Sequence, residues 1–190
     1  MPDTFQRRDL VITIADMKLS FKELRNLKSL TAAGYLAALA VVCNAFISFK
    51  ISPTLQIDTL IIPIALAGML FGPIVGGLVG AASDIIGLFS TENPFFGFTF
   101  NYFLMGIIFG FFLYKQEKIM LRLLIAQLLV SVLITFALTG LWFSIMGIGG
   151  PPHIMWTNRA IKTAVVSPLE FVALFAVIRT IVPIYNKHIK

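Results

Sequence analysis

Charge is what this chain has least of. Asp, Glu, Lys and Arg supply 13% of its 190 residues, about half the share of a soluble domain. A surface that meets water needs more, so a soluble enzyme is excluded and much of the exterior has to face lipid. Cysteine is nearly absent. Cys43 alone sits in an apolar run, forms no internal disulfide and identifies no redox compartment. With His153 and His188 as the only histidines, metal-ligand spacing is missing. No Gly-rich phosphate loop ends in Gly-Lys-Ser or Gly-Lys-Thr, which excludes ATP hydrolysis by that route. No catalytic constellation stands out, and no residue set calls for a cofactor.

What the chain has instead is apolar sequence. Hydrophobic residues make up 58%, against roughly 45–50% in a soluble domain. Its length suits about six spans of roughly 20 residues with connections. The formal net charge of +6 would suggest nucleic acid in a soluble protein. Here the charges sit at the ends of apolar runs and carry topology, so no nucleic-acid partner is expected.

Residues 1–26 alternate polar and apolar and read as a cytoplasmic arm without a cleavable signal peptide. Leu10, Val11, Ile12 and Ile14 are spaced for a strand, and Met17, Phe21 and Leu24 for a helix on the membrane surface. Residues 27–190 are expected to form one transmembrane domain. Its helices are placed at Leu30–Ser48, Leu60–Leu70, Ile74–Phe89, Phe98–Leu113, Ile119–Met146 and Thr157–Tyr185. Phe71-Gly72-Pro73 makes a tight turn, because Gly accepts unusual dihedrals and Pro starts a helix well. Gly76, Gly77, Gly80, Ala81 and Ala82 make the third helix slender, hence buried. Ala33 and Ala37, one turn apart on the first helix, leave a flat stripe for close approach, either inside the bundle or to a partner.

Lys and Arg concentrate in the arm, in the Tyr114–Arg122 connection and at the C-terminus. In a six-span bundle these share one side, which is expected to be cytoplasmic, both termini included. The loops at 50–59, 90–97 and 147–157 then form the outer rim.

Polar groups at membrane depth or on that rim are the candidate site, since an ionisable group in a span is costly unless it is paired or hydrated. Asp84, Asn101, Tyr102, Arg159, Lys162 and Glu170 lie in spans. Asp58, Glu92, Asn93, His153, Trp156 and Asn158 belong to the rim. Plainer roles compete: Asp84 as a bundle cap, Arg159 and Lys162 as snorkelling cations, Trp142 and Trp156 as interfacial anchors, Glu170 as half of a structural pair. Aromatics, amides and both signs of charge on one rim suit a small ring-containing ligand that forms hydrogen bonds.

Four segments resemble the substrate-binding (S) components of energy-coupling factor (ECF) transporters, within them the folate family. They are Phe21–Ala40 (FKELRNLKSLTAAGYLAALA), Ile62–Leu88 with its specific LAGMLFGPIVGGLVGAASDIIG stretch, Gly97–Lys115 (GFTFNYFLMGIIFGFFLYK) and, more weakly, Asn158–Pro168 (NRAIKTAVVSP). The resemblance implies an all-α membrane protein, a six-transmembrane-helix bundle of the S-component type, in a bacterial plasma membrane. It implies a subunit that binds a vitamin from outside and lacks its own ATPase. Such a subunit works with a membrane scaffold (T) subunit and two cytoplasmic ATPases. The family's AxxxA pattern on the first helix meets the scaffold, and Ala33-Gly-Tyr-Leu-Ala37 matches it.

For this chain the expected ligand contacts are Asn101, Trp156, Asn158, Arg159 and Lys162, with rim contacts from Asp58, Asn93 and His153. Val42-Cys43-Asn44-Ala45-Phe46 holds no arginine where folate-specific members often have one. Asp58 and Glu92 add acids that would repel a dicarboxylate, whereas Arg159 and Lys162 would attract one. The expectation is therefore a smaller ring of the pyridoxine or hydroxymethylpyrimidine kind, with folate as the alternative. A stand-alone channel or secondary carrier is the competing class. It often carries internal repeats, and residues 27–113 do not repeat in 119–187.

Overall fold

A computed structural model of the chain describes residues 20–21, 23–47, 50–52, 55–56, 59–89, 94–116, 119–147 and 150–189. Most of the expected arm, and with it Asp58, Glu92 and Asn93, lies outside the described residues. Six helices of 11 or more residues follow one another among the described residues: α1 Leu27–Ile47, α2 Ile61–Phe71, α3 Pro73–Leu88, α4 Phe96–Leu113, α5 Ile119–Met146 and α6 Pro152–Ile189. Lipid offers backbone groups no partner, and a helix pairs them within itself.

Four of the six, α1, α4, α5 and α6, are long and apolar enough to cross a bilayer. The other two have 11 and 16 residues. At about 1.5 Å per residue neither covers a hydrocarbon core of about 30 Å. The helix order expected from the sequence is present, but α2 and α3 are short; α2 is buried along most of its length, and α3 buries its glycine face while Leu78, Ile85 and Ile86 remain exposed. Between α1 and α2, where a polar loop was expected, Lys50–Ser52 and Leu55–Gln56 pair as an antiparallel hairpin. Pairing satisfies backbone groups that a bare loop would leave to water.

Glycine decides how α2, α3 and α4 meet. A Cβ on Gly106 would stand 2.1 Å from the Gly76 carbonyl oxygen, and one on Gly80 2.3 Å from that of Tyr102. One on Gly76 would lie 2.7 Å from the Gly68 Cα. The backbones themselves are in contact there, and any side chain would force them apart. Gly72, at φ 92°, makes the turn from α2 to α3, and Pro73 starts α3. Ser20 donates to the Phe71 carbonyl at 2.9 Å and ties the chain ahead of α1 to that turn. Phe109, Ile64, Leu123 and Leu174 fill the core between these helices and the α5–α6 pair.

The Ala33–Ala37 stripe lies on the inner side of α1. Ala33 is 6% exposed and packs with Ala67, Val75 and Val79. Ala37 is half-buried beside them, and its carbonyl accepts from Ser83 at 3.4 Å. This is a correction to the partner-interface expectation: both methyls close α1 onto α2 and α3. The small residues facing outward are Gly34, with nothing within 4 Å of its Cβ position, and Ala38, flanked by Tyr35 and Val42.

Two further departures concern the outer ends of α5 and α6. Over Val130–Leu138, α5 widens into a π-helix without breaking. Helix α6 starts at Pro152, five residues before the expected Thr157, because Pro suits the first helical position and Pro151 accepts from Ile154 and Met155 at 3.0 and 3.1 Å. His153 and Trp156 therefore stand on a helix, not in a loop, and Asn158 lies on it as expected.

Candidate functional site

Along α6 the residues Met155, Arg159, Val166, Glu170 and Leu174 face inward, while Ile154, Ile161, Val165, Leu169 and Val172 face out. This 3–4 spacing sorts the expected site residues. Arg159 is 3% exposed. Its Nη2 donates to the Thr135 carbonyl at 2.8 Å, and its guanidinium lies 4.5 Å from the Phe143 ring centroid. A cation over an aromatic face is favourable, more so when water is excluded.

Asn101, on α4, is 4% exposed. Its amide nitrogen donates to Thr139 Oγ1 at 3.0 Å, and its amide oxygen accepts from Trp142 Nε1 at 3.0 Å. Thr139 in turn donates to the Ile134 carbonyl at 2.9 Å. The π-segment of α5 thus turns two backbone carbonyls, of Ile134 and Thr135, toward side chains of the site. π-bulges of this kind often accompany functional sites.

Aromatic rings frame these polar groups. Phe95 packs edge-on against Phe98 at 5.7 Å and against Trp142 at 5.6 Å, and Phe98 packs edge-on against Phe143 at 6.0 Å. Trp156 packs edge-on against Phe136 at 5.3 Å. It fits only because position 140 is glycine, where a Cβ would lie 2.6 Å from the indole ring. The outer parts of α4, α5 and α6 therefore join two buried polar side chains to a ring of aromatic edges. Such a surface can stack a flat heterocycle, read its hydrogen-bonding edge and hold an anion.

Of the expected contacts, the structure brings together Asn101, Arg159 and Trp156. Asn158 is exposed on the face of α6 that carries Ile154 and Ile161, and His153 is exposed in its first turn. Lys162 is half-buried, one turn along from Asn158. Asp84 accepts from Thr99 and joins α3 to α4, which is a bundle role. Glu170 accepts from Gln127 Nε2 at 3.0 Å, which joins α6 to α5. Thr139, Trp142 and Phe143 were missed as site residues.

Residues 28–185 match the family model "ECF transporter, substrate-specific component". A curated relative, the folate transporter FolT of Clostridium novyi, is 30% identical over 143 residues, covering 74% of this chain and 82% of that protein. The crystal structure of a FolT bound with folic acid superposes with a TM-score of 0.72 at 38% identity, over 80% of this chain and 93% of that one. The S component of a bacterial ECF transporter superposes with a TM-score of 0.57 at 24% identity, over 82% and 97%, a likeness of fold. With the family model covering nearly the whole helical bundle, the chain belongs to the substrate-specific components of ECF transporters.

Proposed function

We propose that this subunit captures a folate-type vitamin, a pterin joined through an aromatic ring to a carboxylate-bearing tail. The observation that carries the reading is the burial of Arg159 on the Phe143 face beside Asn101, inside a frame of aromatic edges. Two flat rings find aromatic partners there. The pterin edge presents donors and acceptors that a side-chain amide reads in both directions. A carboxylate replaces the Thr135 carbonyl at Arg159 Nη2 and gains a charge-assisted hydrogen bond. FolT proteins, among the relatives, carry folate in their names.

This reverses the order of the two substrate readings. The smaller pyridoxine-like or hydroxymethylpyrimidine-like ring was favoured because Asp58 and Glu92 would repel carboxylates, and both lie outside the described residues. The buried cation weighs the other way. Equilibrium binding of labelled folic acid to the purified subunit, with pyridoxine and hydroxymethylpyrimidine as competitors, tests the choice. Folic acid is expected to bind and to resist both competitors. Displacement by either at a lower concentration than unlabelled folic acid would overturn it. Mass spectrometry of the ligand that co-purifies gives a second, unbiased readout.

In this reading the subunit crosses the plasma membrane with all six helices at least partly embedded. Both termini are cytoplasmic, and uptake requires a scaffold subunit and two ATPases. The outward small residues of α1, Gly34 and Ala38, take the scaffold contact. Co-purification of the scaffold and ATPases supports this assembly. Uptake into liposomes by the subunit alone would support a self-sufficient carrier instead.

A further inference from the structure

Hydroxyls in these helices mostly bond back to the carbonyl four residues earlier. Thr31, Ser83, Ser144, Thr157 and Thr180 all do so, at 2.6–3.1 Å. Ser131 on α5 and Thr163 on α6 do not. Their buried hydroxyl oxygens find no hydrogen-bond partner among the described residues, nor do Arg159 Nε and Gln127 Oε1.

Helical register places these four atoms along the α5–α6 pair. Arg159 meets the Thr135 carbonyl at its outer end, and Glu170 meets Gln127 at its inner end. One turn inward from Thr135 is Ser131, and one turn inward from Arg159 is Thr163, so the antiparallel register sets the two hydroxyls at about the same level of the pair. From Arg159 to Glu170 the seam runs for about 16 Å along α6. Its chemistry has a direction. A pure donor, the Arg159 Nε–H, begins it, and a pure acceptor, Gln127 Oε1, ends it. Two hydroxyls, each able to donate and accept, lie between.

We infer that the α5–α6 seam is an internal water-binding site, a short file of ordered waters running from Arg159 Nε past Ser131 and Thr163 to Gln127 Oε1. A buried water needs two to four polar partners, and this sequence of groups supplies them in an order that lets every member donate and accept. Leaving all four atoms dry would forfeit a hydrogen bond at each. The file hydrates the inner side of Arg159 and so fixes the guanidinium that faces the candidate ligand site. It requires only that Arg159 be placed as it is, whatever the vitamin.

Radiolytic labelling of the intact subunit in nanodiscs with oxygen-18 water tests this directly. Radicals formed at bound water label adjacent buried side chains. Val166 is expected to be labelled several-fold above Val75, a residue of the same type that is equally buried but packs between α1, α2 and α3. Labelling at or below that of Val75 would overturn the proposal.

A second test reads the sign of a stability change. Thr163→Val and Ser131→Ala remove a hydroxyl each and preserve the shape closely. Around a water file each is expected to lower the midpoint of thermal unfolding by about 3 °C or more. In a dry seam each would leave the midpoint unchanged or raise it, because an unpaired buried hydroxyl is then removed. An unchanged or raised midpoint for both overturns the proposal.

Discussion

Where α3 meets α4, backbone touches backbone through Gly76, Gly80 and Gly106. Where α5 meets α6, side chains hold the helices apart: Phe136 against Trp156, Arg159 between Phe143 and the Thr135 carbonyl, Gln127 against Glu170. The first region has discarded side chains to gain contact, and contact between bare backbones tolerates no change in spacing. The second has filled its interface with rings, amides and a cation, groups whose partners can be exchanged. A ligand can take over a hydrogen bond made to a side chain or to a freed carbonyl. It cannot enter a glycine contact without separating the helices. In the proposed reading the α2–α3–α4 half is a platform, and recognition falls to α4–α5–α6.

The sharpest way to break this contrast is at Gly106. Gly106→Leu drives a side chain into the Gly76 carbonyl, which stands 2.1 Å from the Cβ position. Overpacking a well-filled core costs roughly 1–3 kcal/mol, and here the obstacle is backbone with no room to yield. Most of the folded, monodisperse subunit should be lost on size-exclusion chromatography. Full recovery of wild-type yield and melting would show that α3 and α4 are not in backbone contact.

In the other half the chain should fold and the function should suffer. Arg159→Ala removes a charge-assisted hydrogen bond to an anionic ligand, worth about 1.5–3 kcal/mol, so the dissociation constant for folic acid should rise by about 10- to 100-fold. Arg159→Lys should recover part of it, because the charge returns without the planar fork. If Arg159→Ala and Asn101→Ala both left affinity unchanged, the site would lie elsewhere.

A smaller effect is expected at Trp142. Trp142→Phe keeps a ring beside Phe95 and removes the donor to Asn101 Oδ1. A neutral hydrogen bond contributes about 1 kcal/mol, so affinity should weaken by about fivefold. Competition binding resolves a change of that size, and no change would mean that the Asn101 amide is oriented without the indole.

The least effect on folding and binding is expected at the outward face of α1. Gly34→Leu enters open space, so melting and ligand binding should stay at wild-type values while uptake by the assembled transporter falls. Ala33→Leu, one residue away, should instead lower the melting temperature of the isolated subunit, because it enters the packing against Ala67, Val75 and Val79. Reversed outcomes for the pair would restore the Ala33–Ala37 face as the docking surface.

Hydropathy and residue spacing were enough to read the membrane class, the order of the helices, the Gly72-Pro73 turn and the burial of the glycine face of α3, though not the exposure of its opposite face. Each follows from a local property: apolar length, backbone dihedral preference, side-chain size. Asn101 and Arg159 were legible as candidates because a polar group at membrane depth has to be accounted for wherever it occurs. Asn158 and His153 were named for their place near the rim, and which side of α6 they stand on, here the exposed one, is a matter of helix rotation that no local pattern gives. Trp142 and Thr139 have no pattern that separates a ligand-facing residue from an interfacial anchor. Their role comes from Asn101, 38 and 41 residues away in sequence.

By itself the sequence determined that this is a lipid-embedded helical bundle and which segments form it, because the cost of unpaired backbone and charge in hydrocarbon leaves few alternatives. Only the tertiary structure decided which side of each helix faces which neighbour. Rotating α1 by one residue, about 100°, exchanges Ala33 for Gly34 as the outward small residue, and the apolar composition of the helix is the same either way. The α5–α6 pairing decided the rest, since a buried arginine becomes a binding group or a structural one according to the carbonyls, rings and hydroxyls that the partner helix brings to it.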